Sequence, residues 1–451
     1  MVPSEFQIQV IKLIRTFFRY SFSFLYLFIT PALIYFKGRL FLSVYSCTYS
    51  VSGCLSMYDL IIVGGGPSGA SAGQTAGKRG LLTLLIEKEN FPRYKPCGGA
   101  LSSYCLSCLD FELPESIIER NIPKVRVYFR DRFVEGMKEN NLALLVSRKV
   151  FDNFLLEKAR ETGIEVHTGE EVLDLIEKED CVEVRTTDNT YLGRFVLISE
   201  GSGGTLKYKV RPRDKKTGYG LGLVSEIPDD DKVIRNRFPG TIDIHFGVAQ
   251  GGYGWIFPHA GYYSAGIVGT AQYLEHPKKI LRDFLEENGL SGDFPVRSHI
   301  IPKGGIKRKI LNSRLLLSGD AAGFVDAFTG EGLSYAIRSG QLAAEAVADL
   351  VMYSLKLSSL KAYESSCRQE FGNYLASSLK LDKIMHRFPE TSFKLAISNR
   401  EILDKYLDEV VTNRNYKEYV RWLLLNFCLT EPVSRIKSLT LEGTNKNRYK
   451  K

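Results

Sequence analysis

The chain has 451 residues, 44% of them hydrophobic, with eight cysteines and a net charge of +9. That length and apolar content exclude a disordered chain or one small module and suit two or three globular domains. Scattered cysteines, at Cys47, Cys54, Cys97, Cys105, Cys108, Cys181, Cys367 and Cys428, exclude a dense disulfide framework and point to reduced thiols in a cytoplasmic compartment.

Residues 1–56 differ from the rest. They carry Lys12, Arg15, Arg19, Lys37 and Arg39 against Glu5, and an aromatic-rich stretch over 17–36 interrupted by one charge, Arg19, and one proline, Pro31. About 20 apolar residues can cross a bilayer. Three readings stay open: a membrane anchor, a basic interfacial segment, or translation that begins at Met57.

The segment 58–87 holds the strongest motif. A short apolar strand (Leu60, Ile61, Ile62, Val63) leads into Gly64, Gly66 and Gly69, then a small-residue helix, then a strand over 81–86 ending at Glu87. This is the dinucleotide-binding βαβ fingerprint. Gly64 permits the tight turn, Gly66 lets backbone approach a pyrophosphate, and Gly69 lets the helix lie close to the sheet. Phosphates would sit at the helix N-terminus beside Pro67 and Ser68, where free amides favour negative charge. Glu87, with Lys88 after it, falls where an acidic residue holds ribose hydroxyls.

A Pro- and Gly-rich loop over 91–99 follows, ending Lys95, Pro96, Cys97, Gly98, Gly99; glycines after a cysteine let backbone pass close to something flat or bulky. Strands are predicted over 125–129 and 142–146, and an amphipathic helix over 151–160 with Gly163 past its end. Strands over 164–166, 172–176, 182–185 and 195–198 form an antiparallel meander feeding back into a parallel sheet. Residues 218–269 read as further strands around Tyr253, Gly254, Trp255, Ile256, Phe257 and Pro258. Strand alternation puts Tyr253, Trp255 and Phe257 on one face.

A buried strand over 315–317 then runs into Gly319 and Asp320, followed by Gly323, by Gly330, Glu331 and Gly332, and by a long helix to about residue 350. Here a carboxylate at a strand end can accept from sugar hydroxyls while the glycines approach a pyrophosphate or a ring. The last hundred residues are helical by periodicity, with Leu360, Phe371, Leu375 and Leu379 as core positions, and they end in a basic tail. That tail has no interleaved aromatics and no recognisable nucleic-acid module, so it reads as solvated and no nucleic acid is expected. Cys105 and Cys108 form a single CxxC without a second pair at zinc spacing. The six histidines (His167, His245, His259, His276, His299, His386) form no spaced cluster, so no metal is expected and they read as ordinary surface or core residues.

The fingerprint, Arg148 at the head of its helix, and the Gly319–Asp320 segment together resemble the flavoprotein superfamily that includes aromatic hydroxylases, over about residues 57–352. Within it the chain looks most like the geranylgeranyl reductase family, archaeal digeranylgeranylglycerophospholipid reductases included. Lys95 to Gly99, the run from Gly251 to Pro258, and Gly319 with Asp320 carry this resemblance. It departs at Gln250, where the family pattern has proline, and at Glu200 before Gly201, where the superfamily usually has aspartate.

The resemblance implies an α/β fold: a Rossmann-like FAD-binding domain with a parallel sheet (57–205 and 300–352), an antiparallel substrate-binding domain (206–299) and a C-terminal helical region (353–451). It implies FAD held by Gly64, Gly66, Pro67, Ser68, Gly69, Glu87, Lys88, Cys97, Gly98, Arg148, Gly319, Asp320, Gly330 and Gly332. The implied reaction saturates double bonds of a polyprenyl lipid bound by Gly99, Tyr253, Trp255 and Phe257. Cys97 is the candidate proton donor, because a thiol of pKa about 8.5 stays mostly protonated at neutral pH. Positive charge developing on the alkene would be tolerated near the faces of Tyr253 and Trp255. The bland alternatives are a small buried thiol and rings that merely fill a sheet core. The electron source stays open between NAD(P)H and a ferredoxin, and a lipid substrate implies peripheral contact with the cytoplasmic membrane face. Rival readings are a flavin monooxygenase or halogenase on the same scaffold, and a prenyl-binding escort protein without flavin chemistry.

Overall fold

A strand that is apolar at consecutive positions has to be covered on both faces, and Leu60, Ile61 and Ile62 are fully buried. The computed structural model describes residues 57–214 and 218–428 and, as a separate unit, the antiparallel pair Ala32–Phe36 and Arg39–Ser43. The rest of residues 1–56, the three readings placed on them, and the basic tail after residue 428 lie outside the described residues. Among the described residues no helix is long and apolar enough to cross a membrane.

Met57–Val63 sits inside a sheet ordered Glu165–Thr168, Thr83–Glu87, Met57–Val63, Thr190–Ile198, Val182–Thr186, Val172–Glu177. The first four strands run parallel and the last two turn back antiparallel. Thr190–Ile198 joins the two patterns. Its first half pairs antiparallel with Val182–Thr186, and its end pairs parallel with Leu315–Leu317. This is the predicted Rossmann-like sheet, but the expected antiparallel meander is smaller: Glu165–Thr168 follows the crossover helix Arg148–Arg160 and pairs parallel with Thr83–Glu87, so only Val172–Glu177, Val182–Thr186 and the first half of Thr190–Ile198 run antiparallel. The helix Pro67–Lys78 packs on it and against the helix Leu333–Met352. A side chain at Gly69 would put its Cβ 1.8 Å from the Gly64 carbonyl oxygen, and one at Gly340 would come 2.1 Å from that of Ser68. Small residues therefore set how closely these layers approach.

The second sheet is ordered Arg297–Pro302, Tyr219–Pro228, Tyr262–Thr270, Tyr253–Pro258, Thr241–Phe246, Lys124–Phe129, Arg132–Met137. It is antiparallel except where Thr241–Phe246 pairs with Lys124–Phe129. The expected boundaries put the hairpin Lys124–Met137 with the nucleotide-binding segment, whereas its hydrogen bonds make it the far edge of this second sheet. Parallel neighbours need a long crossover. Here the connection contains the whole meander, so nearness in sequence says nothing about the pairing. Arg126 and Asp243 bridge the two strands, with Nε to Oδ1 at 2.7 Å and Nη2 to Oδ2 at 3.0 Å.

Behind the second sheet the helix Pro277–Glu287 buries Leu281, Phe284 and Leu285. The C-terminal helices Asn373–Arg387, Pro389–Ser398, Arg400–Tyr406 and Tyr416–Leu423 cover the hairpin end of the sheet, where Leu403 and Leu407 join a core with Ile242 and Leu145. Leu360, Phe371 and Leu375 are buried as predicted. Leu379 is only half-buried, against Gly304, and Leu381 takes the core position.

Candidate functional site

The polar end of the site is built at the carboxyl ends of the parallel strands. Gly64, at φ +104°, turns the chain out of Met57–Val63 with its N–H bonded to the Ile86 carbonyl at 2.8 Å. The helix Pro67–Lys78 then starts with proline in its first turn and no side-chain cap, so its first amides are left to whatever lies in front of them. Glu87 is buried and accepts from the Gly65 N–H at 2.6 Å and the Glu89 N–H at 2.9 Å. Three serines tie the strand ends together: Ser68 Oγ lies 2.7 Å, and Ser199 Oγ 2.8 Å, from Ser318 Oγ.

Asp320 stands at the next strand end, 3.2 Å from His299 Nε2. Burial pushes its carboxyl up, but the His299 hydrogen bond and charge, with Lys95 and Arg148, outweigh that and hold it below the ordinary carboxylate range. Burial pushes the Lys95 ammonium down, and Arg148 and Arg93 add to this against the pull of Asp320. Glu331 Oε1 accepts from Ser102 and Ser334, each at 2.7 Å, and burial raises its carboxyl.

Cys97 lies in the turn between these groups and the second sheet. The Gly99 N–H points at its sulfur at 3.4 Å, and the Arg148 guanidinium reaches the same atom. Arg148 is itself fixed by the fully buried Asp152, with Nε to Oδ1 at 2.7 Å and Nη2 to Oδ2 at 2.8 Å, while Arg93 takes Oδ2 at 3.0 Å. The cysteine loop is clamped from behind. His259, 1% exposed, is stacked on Tyr262, and its Nε2 lies 3.0 Å from the Gly98 carbonyl while Nδ1 meets Glu119.

Tyr253–Pro258 alternates as its pattern requires. Gly254, Ile256 and Pro258 are buried, and Tyr253, Trp255 and Phe257 face the cavity. Phe257 packs on Gly98, where any Cβ would lie 2.8 Å from its ring. Tyr253 donates to the Thr329 carbonyl, and burial raises its hydroxyl so that it stays a phenol. The Trp255 Nε1–H is buried without a partner among the described residues.

All of this lines one cavity of about 990 Å³, at the upper end of what ligand sites usually enclose. The structure brings Gly64, Gly66, Pro67, Ser68, Glu87, Lys88, Cys97, Gly98, Gly99, Arg148, Tyr253, Trp255, Phe257, Asp320, Gly330 and Gly332 to its wall. Gly69 and Gly319 are not on the wall. Gly69 lies under the Gly64 carbonyl, and Gly319, at φ +56°, lies against Ser68 and Ala336. They set the approach of the layers one step behind it.

Two histidines read as ordinary belong here: His299 lines the cavity, and His259 braces the cysteine loop. The aromatic motif ending one residue before His259 was the available signal for it, whereas nothing local marks His299. Glu200 folds back to accept from the Lys207 N–H at 2.9 Å, so the longer acid caps its own loop. Cys105 and Cys108 are buried free thiols. The larger omission is an apolar lobe beyond Trp255, walled by Val125, Val127 and Ile244 of the second sheet and by Met385, Phe393, Leu403 and Leu407 of the C-terminal helices.

Comparison with known proteins agrees with this geometry. The family described as FAD dependent oxidoreductase matches residues 59–197. An uncharacterized protein of Methanosarcina barkeri is 31% identical over 300 residues, covering 66% of this chain and 76% of its own. Digeranylgeranylglycerophospholipid reductase 1 of Methanococcoides burtonii is 28% identical over 375 residues, covering 78% of this chain and 90% of its own. In fold the chain is similar to a geranylgeranyl bacteriochlorophyll reductase-like protein of Thermoplasma acidophilum, with a TM-score of 0.72 at 22% identity, covering 85% of this chain and 99% of that one. The chain belongs to the geranylgeranyl reductase family of FAD-dependent oxidoreductases. It is an enzyme, and its cofactor is FAD.

Proposed function

We propose that this enzyme saturates carbon–carbon double bonds of a geranylgeranyl-type chain carried on a membrane lipid or a related isoprenoid. One observation carries the reading: a single cavity joins the nucleotide cradle, the Cys97 loop and an apolar lobe, with the rings of Tyr253, Trp255 and Phe257 between them. The name of the Methanococcoides burtonii relative supports the substrate class.

The residues present fit FAD. The helix start lacks a side-chain cap, Glu87 is buried beside the glycine turn, and a Cβ at Gly66 would meet only Arg93 Nη2, at 3.4 Å, so backbone is accessible there. Gly64, Gly66, Pro67 and Ser68 would take the pyrophosphate, Glu87 and Lys88 the adenosine end, Asp320 with Gly330 and Gly332 the ribityl and ring end, and Arg148 and Gly98 the face toward Cys97. When bound and reduced, FAD supplies the hydride. The electrons come from NAD(P)H or a ferredoxin.

The protein's own groups do the rest. Cys97 gives the proton to the second alkene carbon, and the Gly99 N–H and Arg148 guanidinium stabilise the charge left on sulfur. Trp255 and Tyr253 present ring faces to positive charge developing on carbon. The apolar lobe binds the hydrocarbon and excludes water, at about 0.8 kcal/mol per buried methylene. Residues 57–205 and 300–352 thus serve the cofactor, while 206–299, the hairpin Lys124–Met137 and the C-terminal helices serve the lipid.

The test is anaerobic incubation of dithionite-reduced protein with geranylgeranyl lipid, followed by mass analysis. The expected product gains two hydrogens per double bond. Unchanged lipid, with product formed only after oxygen is admitted, would favour the monooxygenase reading instead.

A further inference from the structure

The helix Asn373–Arg387 has two faces with different chemistry. Leu381 and Met385 line the apolar lobe. Lys380, Lys383, Ile384 and Arg387 recur at three- and four-residue spacing, which places them in one stripe away from that wall, and Phe388 follows at its end. All five are exposed, Phe388 by 62%.

Of the acids near the stripe, Asp382 feels the charge of Lys383 but makes its ion pairs elsewhere. Asp382 turns inward to Lys303 at 3.2 Å and lies 3.6 Å from His386. Glu390, at the start of the next helix, is taken by Arg130 and Lys394. Among the described residues Lys380, Lys383 and Arg387 are in no ion pair. Arg387 lies over the Phe388 ring, 5.9 Å from its centroid, and three cations without an ion pair beside an exposed Ile and Phe match an anionic lipid surface, because the cations meet headgroups while the apolar side chains enter the acyl boundary. An acidic protein partner would use the cations and give the two apolar side chains no such medium.

We infer that Lys380, Lys383, Ile384, Arg387 and Phe388 form the face by which this enzyme docks on an anionic bilayer, holding the wall of the apolar lobe against the leaflet that carries its substrate. The inference rests on the lipid-reductase reading, which says why that lobe should meet a membrane.

The test is co-sedimentation of the full chain with vesicles of phosphatidylcholine plus phosphatidylglycerol, and with phosphatidylcholine alone. The full chain should sediment with the anionic vesicles. The triple variant K380Q/K383Q/R387Q should lower that partition roughly a hundred-fold, and I384S/F388S should lower it on its own. Both variants should keep their flavin and reduce geranylgeranyl lipid in detergent micelles at the unmodified rate. The inference is overturned if the unmodified chain ignores anionic vesicles, or if both variants bind them unchanged, which would assign the contact to the extension or the basic tail. It is equally overturned if the triple variant loses only its response to an acidic ferredoxin. Failure to reduce any prenyl lipid in micelles would sink the functional reading alone, since vesicle binding is scored separately.

Discussion

The two ends of the cavity are built on different principles. At the nucleotide end, backbone does the work: a turn at Gly64, uncapped amides at the start of Pro67–Lys78, and strand ends joined by Ser68, Ser199 and Ser318. Contacts there tolerate little change, because layers meet at backbone distance. At the lipid end the walls are interchangeable aliphatic side chains from elements far apart in sequence, Val127 beside Leu403 and Leu407. Apolar contact is non-directional, so that end should change gradually where the first changes abruptly.

Gly69→Val should separate the two ends most strongly. Its Cβ would start 1.8 Å from the Gly64 carbonyl oxygen. The expected outcome is loss of bound flavin and a fall in Tm of roughly 1–4 °C, read from absorbance per protein and thermal unfolding. Retention of both would show that the layers can part at little cost. At the other end, Leu407→Ala should leave flavin content intact and raise the KM for a geranylgeranyl lipid about ten-fold, since about 1–2 kcal/mol of apolar contact is lost. An effect on kcat alone would place Leu407 outside the lipid path.

The smallest expected effect concerns pH. The Asp320 carboxyl is held below its ordinary range, so its contribution to stability is complete above that range and disappears as pH falls through the depressed value. Removing the hydrogen bond with His299→Ala should therefore move acid-induced flavin release to higher pH. No shift would mean that Lys95 and Arg148 suffice.

The same contrast explains what could be read from the chain. The fingerprint from Tyr58 to Glu87 is local, so its spacing alone specifies strand, turn, helix and acid, and Gly64, Gly66 and Glu87 from it reach the cavity wall. Gly69 and Gly319 were recognised as necessary, but their place one layer behind the wall depends on how helices stack. The aromatic strand was legible because alternation assigns Tyr253, Trp255 and Phe257 to one face. The lobe was not, since the parallel pairing of Lys124–Phe129 with Thr241–Phe246 bridges more than a hundred residues and Leu403 or Phe393 look like any other core residue. His259 escaped for a related reason, since its partners Gly98 and Glu119 come from distant segments, whereas His299 meets Asp320 only 21 residues on but through a strand and turn that no local pattern marks.

If cofactor and lipid meet in one cavity at Cys97, anaerobic rapid mixing of the prereduced enzyme with geranylgeranyl lipid should show it in the flavin spectrum. Oxidised-flavin absorbance should return as the lipid gains hydrogen, and in Cys97→Ala, with its flavin retained, that rate should fall roughly a hundred- to ten-thousand-fold. A flavin that stays reduced until air is admitted would rule out hydride transfer to the lipid.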